Sequence, residues 1–394
     1  MRPQIQNLAE SKIREVANAA MGKTDVLAFW FGESDEVTPE FIRDAAIDSL
    51  KKGETFYTHN LGLPELRESI AREMSKRHGL GRYRSEHIAV TSGGVNALMI
   101  ATQALVSPGD EVVVITPLWP NLSAQALIMG AKLTSVALRP VDGAWTLDMQ
   151  MLLRALTPKV RMLIVNAPNN PTGWTLSASE QQMILDHCRV NGIWILADEV
   201  YENLYFETTQ NGCAPSFLDL ASPEDELIVV HSFSKSFLMT GWRLGWMVVP
   251  EKILDAVGKL IEFNTSCASL FTQRGGVVAL SRIDDVTPKV VAHLKMCRDT
   301  LIGQLQSLDS IELSSPKGGM YAFFKIRGQT DSLNTAKRLV TEAGLGIAPG
   351  EAFAPESGDW FRWCFASKDP KRLLDGVDRL NGWISKNWVS VIRD

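Results

Sequence analysis

The sequence predicts an α/β fold, in which helices cover a mainly parallel sheet and a smaller α+β domain follows. Short, almost entirely apolar runs alternate with helix-like segments from about residue 66 to about residue 260. Such runs are typical of strands that are buried on both faces, as in a parallel sheet between two helix layers. Past about residue 285 the pattern changes to a long helical segment and an alternating strand, which indicates a second domain.

The predicted elements follow one another in a regular order. Strands of the first region are predicted at 87–90, 111–115, 161–165, 193–196 and 227–230, with a helix over 96–105 after the first. The second region is predicted to hold helices over 288–308 and 333–343, strands over 321–326 and 361–365, and a closing helix from residue 371. We place the large domain at 46–287 and the small domain at 1–45 together with 288–394.

Composition narrows the class of protein. The 394 residues exceed the usual size of one hydrophobic core, and 45% are hydrophobic, 22% are charged, and the net charge is −5. The sequence lacks the long basic run that would indicate nucleic-acid binding. It also lacks a stretch that approaches the ~18 apolar residues of a membrane span. The five cysteines are scattered and form no CxxC pair, which favours reduced thiols and no metal site. We recognise no signal peptide, and we therefore expect a cytoplasmic protein.

Reactive or polar side chains follow the predicted strands, where ligands of open parallel sheets bind. The first strand leads into Thr91-Ser-Gly-Gly94 and a helix, an arrangement that suits a phosphate, although a tight turn without a ligand would show the same glycines. Each residue after the later strands also has an ordinary alternative, namely core packing, a turn or a helix cap. These residues are Trp119, Asn170, Asp198, Tyr201 and Lys235.

Lys235 indicates which ligand these residues would bind together. It follows a buried strand within Ser-Phe-Ser-Lys-Ser, and a lysine held in such a loop can lose its charge and form a Schiff base. Together these residues supply the groups that pyridoxal phosphate requires. These groups are phosphate-binding amides, an aromatic ring for stacking, an amide, a carboxylate, a phenol and a lysine.

The order and spacing of these residues resemble the class I and II pyridoxal-phosphate aminotransferases of fold type I, from about residue 30 to about residue 366. The resemblance is carried by Tyr57, Gly62-Leu-Pro-Glu-Leu-Arg67, Asn170-Pro-Thr-Gly173, Asp198-x-x-Tyr201, Ser234-Lys235 and Arg243. It implies a seven-stranded sheet in the large domain and pyridoxal 5'-phosphate as cofactor. It also implies a transferase of amino acid metabolism that moves an amino group from an L-amino acid to a 2-oxo acid by a ping-pong mechanism.

The resemblance also implies a role for each residue around the cofactor ring. Lys235 would form the Schiff base and move the substrate α-proton, so its pKa must lie below the free value of about 10.4. Asp198 would pair with the pyridine nitrogen, while Asn170 and Tyr201 would hydrogen-bond the phenolate oxygen. Trp119 would stack on the ring.

Further roles lie around the ring's substituents. The phosphate would be held by a set of hydroxyls, amides and one arginine, namely Ser232, Ser234, Arg243 and the backbone of Gly94 and Val95. Arg362 would bind the substrate α-carboxylate as a bidentate fork, together with Gly32 and Asn170. Tyr57 would reach the phosphate of a neighbouring subunit, which implies a homodimer with shared sites.

The sequence departs from one subgroup of the family. No basic residue lies between Lys259 and Arg274, where some dicarboxylate-specific members place a side-chain-binding arginine, so recognition of acidic donors by that route is not expected. Phe29-Trp-Phe31 is unusually aromatic. We hypothesise that Trp30 or Phe31 lines the substrate side-chain pocket and favours apolar or long donors.

Other functions share parts of this pattern. A lyase, a racemase or a cyclopropane-forming enzyme on the same fold would use the same lysine, aspartate and arginine, so the motifs leave these alternatives open. A nicotinamide-dependent oxidoreductase would require a GxGxxG fingerprint, which Ser92-Gly-Gly-Val-Asn does not match. A transcription regulator would need a DNA-binding segment, which we do not expect in the roughly thirty residues before Gly32.

Overall fold

The computed structural model describes residues 1–79 and 81–388. Its helices are α1 (Pro3–Gln6), α2 (Lys12–Asn18), α3 (Glu40–Lys51), α4 (Pro64–His78), α5 (Gly94–Leu105), α6 (Pro120–Met129), α7 (Met149–Ala155), α8 (Ala178–Asn191), α9 (Phe233–Ser236), α10 (Glu251–Thr265), α11 (Leu270–Ser281), α12 (Ile283–Gln306), α13 (Ser332–Arg338) and α14 (Lys371–Trp388). Its strands are β1 (Leu27–Ala28), β2 (Ile88–Thr91), β3 (Glu111–Thr116), β4 (Lys132–Ala137), β5 (Arg139–Val141), β6 (Ala144–Thr146), β7 (Val160–Asn166), β8 (Trp194–Asp198), β9 (Leu227–Ser232), β10 (Gly245–Val248), β11 (Ile311–Leu313), β12 (Tyr321–Ile326), β13 (Leu345–Gly346), β14 (Ala348–Pro349) and β15 (Trp360–Cys364).

A seven-stranded sheet forms the centre of the molecule, in the order β2-β10-β9-β8-β7-β3-β4. Every neighbouring pair is parallel except those that involve β10, which runs antiparallel to β2 and to β9. The central strands β7, β8 and β9 are buried along almost their whole length, and two hydrophobic clusters pack against the sheet. The predicted mainly parallel α/β sheet is therefore confirmed.

The register of the central strands brings their carboxyl ends together. Asn166 at the end of β7 pairs with Asp198 at the end of β8, and Asp198 pairs in turn with Val230 of β9. Strand β9 continues to Ser232, beside Gly245 of β10. The loops that leave these strands therefore start from one edge of the sheet.

A second, four-stranded antiparallel sheet has the order β11-β12-β15-β14. Phe323 of β12 pairs with Arg362 of β15, which places the arginine in the middle of this sheet. The N-terminal helix α2 packs Ile13 and Val16 into the same hydrophobic cluster as Phe323. The helix thus reaches the second sheet, although it is far from it in sequence.

Some features of the fold were not predicted. Strand β4 lies at the edge of the large sheet and is mostly solvent-facing, so it lacks the apolar run that marks the central strands. Strand β10 has only four residues and follows the lysine loop closely. The domain limits at 45/46 and 287/288 fall inside α3 and α12, and the division into domains stays a prediction. No helix in 1–79 or 81–388 has the length and apolar character needed to cross a membrane.

Candidate active site

A cavity of about 600 Å³ opens at the carboxyl ends of β7, β8 and β9. Twelve of the thirteen site residues predicted from the sequence line it. They are Gly32, Gly94, Val95, Trp119, Asn170, Asp198, Tyr201, Ser232, Ser234, Lys235, Arg243 and Arg362. The remaining residue, Tyr57, lies outside the cavity and is 85% exposed.

Lys235 lies on the single helical turn α9. The hydroxyl of Ser232 caps this turn by accepting a hydrogen bond from the backbone N–H of Ser234, at 3.1 Å. The Lys235 Nζ donates to the backbone carbonyl of Gly32 at 2.5 Å. Burial, with the nearby Arg362 guanidinium, lowers the pKa of Lys235 to about 8. A fraction of the amine is therefore neutral near neutral pH, as nucleophilic or basic chemistry requires.

Asp198 is a buried carboxylate with few partners. Its only hydrogen bond from the residues described is a long one, 3.4 Å from the backbone N–H of Val200. Burial raises the pKa of Asp198 to about 7. A carboxylate held in this way at the wall of a cavity is suited to a cationic or N–H-bearing ligand, because such a ligand would restore its charged form.

Arg362 is a buried cation without a carboxylate partner. It is 2% exposed, and no carboxylate in the described part of the chain lies within 4.0 Å of it. Its Nη1 donates to Asn170 Oδ1 at 2.9 Å, its Nη2 donates to the Trp30 carbonyl, and its Nε has no partner there. The cost of burying such a charge is offset when an anion binds beside it, so the site fits a carboxylate.

Tyr201 and Asn170 complete this wall of the cavity. The Tyr201 hydroxyl lies 2.6 Å from the hydroxyl of Tyr321, and both rings are buried. Burial raises the pKa of Tyr201 well above its usual value, so the phenol keeps its proton. Asn170 is held by Asn166, whose Oδ1 accepts from the Asn170 backbone N–H at 2.8 Å. Its side-chain NH₂ has no acceptor among the residues described and is free for a ligand oxygen.

The start of helix α5 gives the cavity the features of an anion site. Helix α5 begins at Gly94, and its twelve residues direct the positive end of their dipole toward the cavity. A Cβ at Gly93 would lie 2.5 Å from Arg243 Nη2, so the guanidinium packs directly against this helix start. Arg243 itself has φ 51°, a left-handed conformation that is uncommon outside glycine. Together these groups fit a phosphate.

Only one of the two aromatic residues proposed for the substrate pocket lies there. Phe31 lines the cavity and is 39% exposed. Trp30 does not line it, because its indole packs over Gly346, where any Cβ would overlap the ring. Of the two alternatives, Phe31 is therefore the one that the cavity favours, while Trp30 contributes its carbonyl to Arg362 and its ring to the hydrophobic core.

Tyr321 and Arg14 are two of the cavity residues that could not be predicted from the sequence. Tyr321 begins β12, and the apolar alternation of that strand gave no reason to separate it from the core. Arg14 belongs to α2 and lies over the Phe31 ring, 5.7 Å from its centroid. Nothing near Arg14 in the sequence signals this position, since it depends on the long-range packing of α2 on the second sheet.

Known proteins match this chain over nearly its whole length. The family model described as aminotransferase class I and II matches residues 25–380. The chain belongs to this family. Members of the family use pyridoxal phosphate, and the chain is an aminotransferase, a transferase of nitrogenous groups, with the fold type I architecture. Its aminotransferase relatives act on small amino and oxo acids.

Three relatives illustrate the range of names within the aminotransferase family. The aspartate aminotransferase of Pyrococcus horikoshii is 32% identical over 378 residues, which cover 95% of this chain and 94% of that protein. A probable N-acetyl-LL-diaminopimelate aminotransferase of Bacillus subtilis is 29% identical, with 98% and 96% covered. The crystal structure of the aspartate aminotransferase of Thermotoga maritima superposes with a TM-score of 0.90 at 30% identity, with 98% and 100% covered.

Proposed function

We propose that this aminotransferase uses pyridoxal 5'-phosphate to move an amino group from an L-amino acid to a 2-oxo acid by a ping-pong mechanism. One observation carries the proposal. Lys235, Asp198 and Arg362 share one cavity; Asp198 and Arg362 are buried, Lys235 is partly buried, and none of the three has an oppositely charged partner within 4.0 Å among the described residues. A cofactor and substrate that bring an aldehyde, a ring nitrogen and a carboxylate would satisfy all three.

The cavity residues would hold the cofactor at four points. The start of α5 at Gly94 and Val95, with Ser232, Ser234 and Arg243, would bind the phosphate. Asp198 would hold the ring nitrogen, Asn170 and Tyr201 would donate to the ring oxygen, and Trp119 would cover one face of the ring. Lys235 Nζ would hold the aldehyde carbon. When bound, the cofactor supplies an electron sink that makes the substrate α-proton removable.

Lys235 and Arg362 would then act on the amino acid. Arg362 would orient it by its α-carboxylate, with the backbone of Gly32 and the Asn170 amide beside the same group. Lys235 would take the α-proton, because a pKa of about 8 leaves a usable fraction of neutral amine near pH 7 to 8. The hydrogen bond from Nζ to the Gly32 carbonyl would hold the amine near the backbone that we assign to the substrate carboxylate.

We propose that donors with apolar or long side chains are preferred. Phe31, Ile13 and Leu98 are apolar residues that line the cavity. Arg14 lies beside Phe31 and pairs with no carboxylate within 4.0 Å among the described residues, so a long donor that ends in a carboxylate would reach it. This arginine comes from α2, whereas the stretch between Lys259 and Arg274 supplies none.

A homodimer is part of the proposal. Tyr57 is 85% exposed and outside its own cavity, as expected of a residue that serves the phosphate site of a second copy. Phe56 and Phe263 are exposed to a similar degree, at 80% and 87%.

We also propose a reducing, cytoplasmic location, which is supported by five free cysteines, four of them buried.

Absorption spectra of the purified protein test the cofactor assignment. We expect the wild type to show a visible band that is lost on reduction with borohydride, which would fix the cofactor to the protein. Lys235→Ala should bind the cofactor without that covalent link, so borohydride would fix none. A covalent adduct of equal yield in Lys235→Ala, or a wild type without any visible band after incubation with pyridoxal phosphate, would contradict the proposal.

A further inference from the structure

The hydroxyl of Tyr321 lies between two groups of the active site. On one side it is 2.6 Å from the Tyr201 hydroxyl. On the other side it packs against Gly32 so closely that a Cβ at this position would overlap the Tyr321 Oη. The Gly32 carbonyl in turn accepts the hydrogen bond from Lys235. One phenol therefore contacts both the tyrosine and the backbone segment that holds the lysine.

The protons of the two phenols can be counted. Burial raises the pKa of both Tyr201 and Tyr321, so each keeps its proton at neutral pH. Each hydroxyl has a single proton, and only one of the two can lie in the bond between them. Tyr321 Oη makes no other hydrogen bond within 1–79 and 81–388, and the Gly32 backbone covers one side of it. The Tyr321 proton is therefore best placed in the hydrogen bond to the Tyr201 hydroxyl.

We propose that Tyr321 is a positioning residue that donates to Tyr201 and so leaves the Tyr201 proton available for the anionic ring oxygen of the cofactor. The inference rests on the proposed function, since it is the cofactor that brings this oxygen. A hydroxyl that accepts one hydrogen bond becomes a stronger donor in the next, particularly in a buried site. Tyr321 would therefore act through Tyr201, without contact to the substrate.

The ring of Tyr321 has a separate role, which makes the hydroxyl testable by itself. Its face lies 4.4 Å from the Arg362 guanidinium carbon, and it meets the Tyr201 ring edge-to-face at 5.7 Å. A phenylalanine keeps both contacts. Tyr321→Phe therefore removes one hydrogen bond and leaves the packing of Arg362 and Tyr201 in place.

The test is a pH titration of the visible band of the cofactor-loaded protein. In the bound chromophore, the ring oxygen and a nitrogen share one proton. A hydrogen bond donated to the ring oxygen lowers the affinity of this pair for that proton. We therefore expect Tyr201→Phe to raise the apparent pKa of the band, and Tyr321→Phe to raise it by about half a unit to one unit. Tyr83→Phe is the matched control, because it removes a buried hydroxyl that donates to the Leu218 carbonyl at 3.0 Å, away from the cavity.

A double variant separates action through Tyr201 from a direct effect. In a Tyr201→Phe background, Tyr321→Phe should cause no further shift. Equal shifts in both backgrounds, or a Tyr321→Phe shift no larger than that of Tyr83→Phe, would overturn the role of Tyr321 while the cofactor assignment stands. A wild type without a titrating band would instead overturn the proposed function, and this inference with it.

Discussion

Asp198, Arg362 and Lys235 illustrate how single residues mark this site. A buried carboxylate with one long hydrogen bond, a buried guanidinium without a carboxylate and an amine of lowered pKa would each destabilise an ordinary core. Asp198 and Lys235 could be predicted from the sequence because they follow buried strands, whereas Arg362 lies within β15 and could be predicted only through the family resemblance. The hydrogen bond between the Tyr321 and Tyr201 hydroxyls could not be predicted, because it depends on a contact across 120 residues.

Gly32 shows the same limit at one position. The family resemblance implies that its backbone faces the substrate carboxylate. The structure adds a steric reason for glycine, since the Tyr321 hydroxyl occupies the space of a side chain. This reason involves β12 and could not be inferred from the residues around position 32.

The elements of the fold explain which parts of the site were predictable. The strands β7, β8 and β9 are short apolar runs, so their ends and the residues after them could be located from the sequence alone. The helix α2 carries no comparable signal for its position, although Ile13 and Arg14 line the cavity. Long-range packing, and not local pattern, decides where this helix lies.

The position of α2 leads to a prediction on donor choice. Arg14→Gln should lower kcat/KM about tenfold or more for long donors that end in a carboxylate, because a charge-assisted hydrogen bond is lost. Donors with purely apolar side chains should be almost unaffected. Lys12→Gln on the same helix is the control, since Lys12 pairs with Glu351 and does not line the cavity. Steady-state rates across a panel of donors measure this, and an equal loss for all donors would contradict it.

At the scale of the whole molecule, a buried ionic network supports the segment that holds Asp198 and Tyr201. His78 of α4 lies 2.9 Å from Glu202 and 2.8 Å from Asp219. Burial by itself would lower the pKa of His78, but the two carboxylates outweigh it and raise the pKa to about 10. The imidazolium thus links a helix of the outer layer to the loop after β8.

This network predicts a pH-dependent stability. Because the folded pKa of His78 exceeds its unfolded value of about 6.5, its contribution is complete below that pH and is lost as the pH rises through about 10. His78→Gln leaves the buried carboxylate of Glu202 and the partly buried one of Asp219 without this cation, and should destabilise the fold by about 3 kcal/mol. Thermal unfolding should show a large difference from wild type at pH 6 that shrinks toward pH 10.

A second histidine provides the control for this measurement. His187 Nε2 lies 2.7 Å from the Leu156 carbonyl, and no carboxylate pairs with it among the residues described. His187→Gln should therefore cause a smaller loss of stability at pH 6 than His78→Gln, because no carboxylate loses a cation. A His78→Gln difference that stays constant from pH 6 to pH 10 would show that packing, and not charge, accounts for the loss.

The most direct test of amino transfer is a single-turnover half-reaction. Cofactor-loaded wild type is mixed with an excess of a donor amino acid and no 2-oxo acid, and the visible band, the 2-oxo acid and ammonia are followed together. We predict that the band disappears, that about one equivalent of 2-oxo acid forms per active site, and that no ammonia is released. Continued formation of 2-oxo acid with ammonia, in the absence of an acceptor, would contradict the account and indicate a lyase.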